Sequence, residues 1–238
     1  MKVLRIIRNF LLYCGIEKDE YKAIKKDFYV SNFVVWRILH LLMIGVFGSL
    51  FFSSLFSELL KQNLVFYLIG FVYSIVAEVF FFILRKDSIF AQLLIYLSIS
   101  VLFLFGCFIT QNKPQNPATT FIVLLIITPM FMLDKPIFMT IELIVASCVF
   151  LIWMYYVKDY QVWVYDLINV LSYMIVGIFI HVIANSIRVR EFILTRKINI
   201  QKDLDDLTSL KNKGALTREI NEYLLDNTKN KGIIGSLR

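Results

Sequence analysis

Four ionisable side chains stand inside long apolar runs: His40, Glu78, Glu142 and His181. A titratable group in hydrocarbon is costly unless it is paired or faces a polar interior, so each is a candidate for sensing or proton chemistry. Glu78 lies well inside its run, and a pairing with His40 across neighbouring helices would form a proton-sensitive element. The alternative role is an interhelical hydrogen bond that fixes packing. Arg37 and Asp166 lie close to the ends of their runs, where long or polar side chains reach the interface. These we read as structural. The chain has no zinc-spaced His/Glu set, no GxSxG and no pair of aspartates on facing runs, so intramembrane hydrolysis finds no support. Cys14, Cys107 and Cys148 are far apart and carry no ligand spacing, which makes them small hydrophobes rather than metal ligands or disulfide partners.

The elements that must position these groups follow from composition. Of 238 residues 58% are hydrophobic and only 18% charged, with a mean hydropathy of +0.70. A soluble domain of this size cannot bury so much apolar surface, so a lipid bilayer is the expected solvent and partner. The net charge of +7 raises the question of nucleic acid. Its basic residues flank the apolar runs instead of forming one patch, which excludes that reading.

Crossing the hydrocarbon takes about 20 helical residues. Six runs qualify, near Phe33 to Phe56, Leu64 to Leu84, Ile89 to Phe108, Thr120 to Leu133, Ile137 to Val157 and Tyr165 to Ile187. The fourth is short and contains Pro129. The expected fold is therefore all-α: a multi-pass bundle of six transmembrane helices followed by a cytoplasmic helical tail. With six crossings, one side holds Lys2, Arg5, Arg8, Lys18, Lys22, Lys25, Lys26, Arg85, Lys86, Lys135, Arg188, Arg190, Arg196 and Lys197, whereas the other holds Lys61, Lys113 and Lys158. This asymmetry predicts both termini in the cytoplasm. The connections are short, and the paired halves of a transporter repeat are absent. Aromatics such as Trp36, Trp153, Tyr160 and Trp163 gather at span ends as interface anchors.

Residues 1–32 form a cytoplasmic basic segment. Lys2, Arg5 and Arg8 share one face of a helical wheel and Val3, Ile6, Ile7, Phe10 and Leu11 the other. Such a helix either lies on an anionic leaflet or packs on the end of the bundle. Residues 33–187 are the six-span domain, and beyond them the composition turns charged. Within the connecting helix of residues 188–204 and just past it, Ile193, Lys197, Ile200, Leu204 and Leu207 recur at 4-3-4-3 spacing. That stripe is suited either to a parallel coiled coil in a homodimer or to packing within its own chain.

Asp205-Asp206-Leu207-Thr208-Ser209-Leu210-Lys211-Asn212-Lys213 then resembles the D-x-L-T-G-L-x-N-R opening of the GGDEF domain, with Ser209 at the usual glycine and Lys213 at the usual arginine. Asp205, Leu207, Thr208, Leu210 and Asn212 match it, and Leu216, Ile220 and Leu224 follow as an amphipathic helix capped by Asn212. The resemblance covers residues 205–238. It implies a membrane-anchored diguanylate cyclase, which makes cyclic di-GMP from GTP with magnesium. The family's metal-binding aspartate, its guanine contacts and its GG[DE]EF hairpin all fall beyond Arg238, so no catalytic, cofactor or metal residue is carried over, and GTP and magnesium are expected only for a complete GGDEF domain. We therefore expect the sensor and anchor part of such an enzyme, truncated at its C-terminus. Rival readings are a non-enzymatic six-span regulator that pairs with a homologue and, more remotely, a small transporter. The stimulus has no sequence signature.

Overall fold

The structure, a computed structural model, describes the backbone of residues 2–203, 214, 216–218, 220 and 221, and side chains over 6–198, 201, 202 and those last six positions. The chain divides into two compact units, residues 1–190 and 191–238. All described secondary structure is helical. The elements are α1 (Lys2–Tyr13), α2 (Lys18–Phe56), α3 (Glu58–Lys61), α4 (Leu64–Ile83), α5 (Ile89–Gln111), α6 (Thr119–Ile127), a 3-10 turn (Thr128–Phe131), α7 (Pro136–Tyr155) and α8 (Tyr160–Asp203).

Among the described residues five helices are long and apolar enough to cross a membrane: those containing α2, α4, α5, α7 and α8. The stretch Thr119–Phe131 is apolar but short. Their outer surfaces carry exposed Ile38, Leu42, Ile69, Phe82, Phe90, Ile152 and Phe179, the distribution expected where the surroundings are themselves apolar.

Two expected boundaries move. Residues 18–32 are continuous with the first apolar run in one 39-residue helix, so the basic segment is α1, a turn and the lower part of α2. The turn is made by Cys14 and Gly15, both with positive φ, 55° and 79°. Tyr13 meets Tyr21 edge-on at 6.0 Å, and Cys14 is fully buried. The C-terminal end of α1 is thus packed on the bundle, while Ile6 and Ile7 stay more than half exposed. At the other end, α8 runs from Tyr160 to Asp203 without a break at residue 187.

Prolines and a serine mark the helix starts. Pro136 occupies the first turn of α7, where its missing N–H costs nothing. Ser88 caps α5 by accepting a hydrogen bond from Phe90 N at 3.2 Å. Pro129 stands at the start of the 3-10 turn, and the chain is extended by Met132 (φ −114°, ψ 132°). The short fourth run is therefore helical only to Phe131, and the expected span ending at Leu133 finishes in irregular chain.

The core of unit one gathers Trp36, Ile95, Phe103, Phe121, Met139, Phe150 and Val170 from α2, α5, α6, α7 and α8, with Phe121 and Phe150 stacked at 4.1 Å. In a lipid solvent such packing gains from close contact rather than from water release, so small residues matter where helices approach. A Cβ at Gly177 of α8 would fall 2.6 Å from the carbonyl oxygen of Leu125 in α6, and one at Gly106 would fall 3.2 Å from Phe121 Cα. Gly45 on α2 faces open space.

Gly177→Ala should lower the thermal stability of the purified chain in detergent by the cost of overpacking, about 1–3 kcal/mol. Gly45→Ala should leave it unchanged or slightly raised. Equal melting curves for the two variants would contradict the close α6–α8 approach.

Candidate functional site

Between Pro129 and Asp134 the backbone passes from a 3-10 turn into extended chain, and its carbonyls lose the partners a continuing α-helix would have supplied. Side chains from other elements take their place. His181 Nδ1–H donates to Pro129 O at 2.7 Å, and the Arg188 guanidinium donates to Met130 O. Trp36 Nε1–H reaches Phe131 O at 3.2 Å. Asn32 Nδ2 donates to Leu133 O at 2.8 Å while Asn32 Oδ1 accepts from Leu133 N–H at 2.9 Å. Asn185 Nδ2 donates to Asp134 O, which also receives the Cys14 thiol at 3.9 Å. Of the six residues in this stretch, five thus have their carbonyls held by α2, α8 and the α1–α2 turn.

Three of these contacts come from α8. His181, Asn185 and Arg188 are spaced by four and three, so they share one face of the helix. With the His181 proton on Nδ1, its Nε2 accepts from Asn185 Nδ2 at 3.4 Å, and the same amide spans ring and carbonyl. Asn32 is in turn fixed by α5, donating to Gln92 Oε1 at 2.9 Å, and Gln92 Nε2 donates to Tyr29 O at 3.2 Å.

The carboxyl of Asp134 completes the cluster. Its Oδ1 accepts from Lys135 N–H at 2.7 Å and from the Tyr21 hydroxyl at 3.5 Å, and its Oδ2 accepts from the Tyr96 hydroxyl at 3.2 Å.

The four polar candidates read from the sequence occupy separate places. Glu78 does not pair with His40. Its Oε1 takes two contacts from Arg37, at 3.1 Å from Nε and 3.0 Å from the terminal nitrogen, while its Oε2 is buried with no hydrogen-bond partner. Arg37 outcompetes a histidine because its planar fork reaches along the helix and keeps its charge. It also lies 4.4 Å from the Phe82 ring centroid. His40 turns the other way: Nδ1–H donates to Trp36 O at 2.7 Å, and Nε2 meets Ser98 Oγ at 3.0 Å, which lies 2.9 Å from the Tyr73 hydroxyl. Glu142 accepts from Ser100 Oγ at 2.6 Å. Only His181 belongs to the cluster around Asp134. Among the described residues no group of three His, Cys, Asp or Glu side chains could hold a metal ion.

At the opposite end of the bundle lies a buried pair that sequence reasoning misplaced. Lys158, taken as a loop cation, and Asp166, taken as a span-end group near water, form a salt bridge with both side chains fully buried. Lys158 Nζ also donates to Asn116 O at 2.7 Å, and Asp166 Oδ1 accepts from Ala118 N–H at 2.9 Å. The pair staples the Pro-containing loop before α6 to the α7–α8 connection. Asn32, Gln92 and Asn185 were missed altogether because the scan weighed ionisable residues and these three amides carry no charge. A search for any Asn or Gln in or beside an apolar run would have found them.

Asp205, Leu207, Thr208, Leu210 and Asn212, expected to open a GGDEF domain, lie outside the described residues, as does Leu204. Beyond them, Gly214, Leu216–Arg218, Ile220 and Asn221 are helical, in keeping with the helix expected after Asn212. Of the stripe on α8, Ile193 is half-buried and Lys197 exposed, and the exposed apolar side chains of that part are Leu194 and Ile198. Ile200 is described in its helical backbone alone.

Asp134→Leu would leave the Tyr21 and Tyr96 hydroxyls and the Lys135 N–H without the acceptor they share, and should lower stability in detergent by about 1–3 kcal/mol for each buried group left unpaired. An unchanged melting curve would show that the carboxyl does not hold the cluster. No protein family, curated protein or solved structure matches the chain, so its functional reading rests on its own geometry and sequence.

Proposed function

We propose that this chain is a six-span module of a bacterial plasma membrane, with both termini cytoplasmic, which anchors and controls a cytoplasmic output through α8. The observation that carries the reading is the clamp on residues 129–134. One face of α8 supplies three of its side chains, and the same helix continues to Asp203. A change in the bundle that alters the clamp must alter how α8 is held. The crossing that brings the five long helices to six is the fourth in chain order, Thr119–Phe131, completed by irregular chain whose carbonyls are held inside the protein, the condition under which such chain is tolerated at membrane depth.

The output follows from the resemblance of Asp205 to Lys213 to the start of a GGDEF domain. On that reading the module governs synthesis of cyclic di-GMP from GTP by complete GGDEF domains, which must meet in pairs, and the tail of α8 is where two copies approach. GTP and magnesium belong to those domains.

Cysteine labelling from outside the cell tests the topology. A site engineered beside Lys113 should react, and one beside Lys202 should not. Reaction at Lys202 would reverse the sidedness and remove the cytoplasmic output. Disulfide crosslinking of single cysteines along residues 190–207 tests the pairing. Maxima at 193, 200, 204 and 207 are expected for the seam, whereas maxima at 194 and 198 would shift it by one residue and a flat profile would remove it.

A further inference from the structure

The first sixteen residues hold three cations, Lys2, Arg5 and Arg8, and no acid. Their helix is not free to swing at its C-terminal end. Cys14 and Gly15 turn the chain in left-handed conformation, and a Cβ at Gly15 would fall 2.9 Å from the Phe10 ring, so the reversal is built tightly against α1 itself. Cys14 Sγ contacts Asp134 O, and Lys135 Nζ lies 6.0 Å from the Tyr13 ring centroid. From this pinned end α1 carries Ile6, Ile7 and Arg8 outward, all exposed. Between α1 and the start of α2 runs an open cleft of about 740 Å³ whose lining includes Ile6, Arg8, Asn9, Tyr13, Ile16 and Lys18. Glu17 and Glu20 stand beside Lys18 in the same lining, so the net positive charge of this region comes from α1.

Cations on a helix with exposed aliphatic side chains match one kind of partner, a phospholipid whose headgroup is anionic and whose glycerol region is apolar. We propose that α1 and this cleft dock on anionic lipid of the cytoplasmic leaflet, and that occupancy is passed to the clamp on residues 129–134 through Cys14 and Tyr13. The inference rests on the membrane reading above and names its input, the surface charge of the bilayer. Lipid that draws α1 toward the headgroups loads the Cys14 contact on Asp134 O, the same carbonyl that Asn185 of α8 holds. Each cation near an anionic surface strengthens association about fivefold, so three together make α1 responsive to lipid composition and to ionic strength.

Hydrogen exchange of the full chain in nanodiscs tests this directly. Backbone amides of residues 2–13 should exchange about tenfold or more slowly in discs containing phosphatidylglycerol than in pure phosphatidylcholine, and added salt should erase the difference. Replacing Lys2, Arg5 and Arg8 together by Gln should abolish it while residues 64–83 remain protected in both discs. Equal exchange of α1 in the two lipids would overturn the proposal, as would an undiminished effect in the triple variant. Inorganic phosphate added to phosphatidylcholine discs should give no protection, and protection by phosphate alone would show a soluble-anion site instead. Loss of protection across residues 64–83 in both discs would mark failure of the membrane reading itself.

Discussion

Backbone carbonyls that leave a helix in a place poor in water must find donors, and the structure is arranged around that requirement at residues 129–134. Pro129 makes the departure unavoidable, because it cannot supply an N–H to a continuing ladder and its ring clashes with the preceding turn. The remedy comes from α2, α8 and the α1–α2 turn, and α5 secures it through Gln92 and Tyr96. Elements distant in sequence are thereby tied to one short stretch. An unmade bond to a buried group costs about 1–3 kcal/mol, so these ties are costly to leave unmade and together fix a single arrangement of helices.

Much of this was legible in the sequence, for a physical reason. Long apolar runs have few alternatives to helix: three of the expected runs coincide with helices to within a few residues, Leu64 to Leu84, Ile89 to Phe108 and Ile137 to Val157, and the helix of the first run ends at Phe56 as expected. Where apolar pattern gives way to charge, the pattern no longer reports structure. Residues 18–32 and 188–203 read as separate segments, yet each continues a helix already begun, since Glu, Lys, Arg and Leu are helix formers wherever they stand. The fourth run was recognisable as short and interrupted by Pro129, but its end was not recognisable as the meeting point of four elements.

Side-chain partners were the least legible. Choosing among polar groups in a bundle depends on helix rotation and stagger, which spacing along one helix does not encode. Glu78 illustrates this: Arg37 and His40 are three residues apart on α2, on neighbouring positions of one face, and only the three-dimensional register decides that the guanidinium takes the carboxylate. Lys158 and Asp166 show the same limit from the other side. Both stand where a loop or an interface would leave them wet, and the fold instead closes Asn116 and Ala118 over them. A buried pair of this kind is weak evidence for added stability, but removing either partner leaves the other charged and alone.

The three α8 side chains that reach the 129–134 stretch have a mechanical meaning. Because they rise along one face at intervals of four and three, a slide of α8 by more than about 1 Å would stretch all three bonds past hydrogen-bond length together. Along residues 181–188 the helix is therefore latched, held at three points that yield as one.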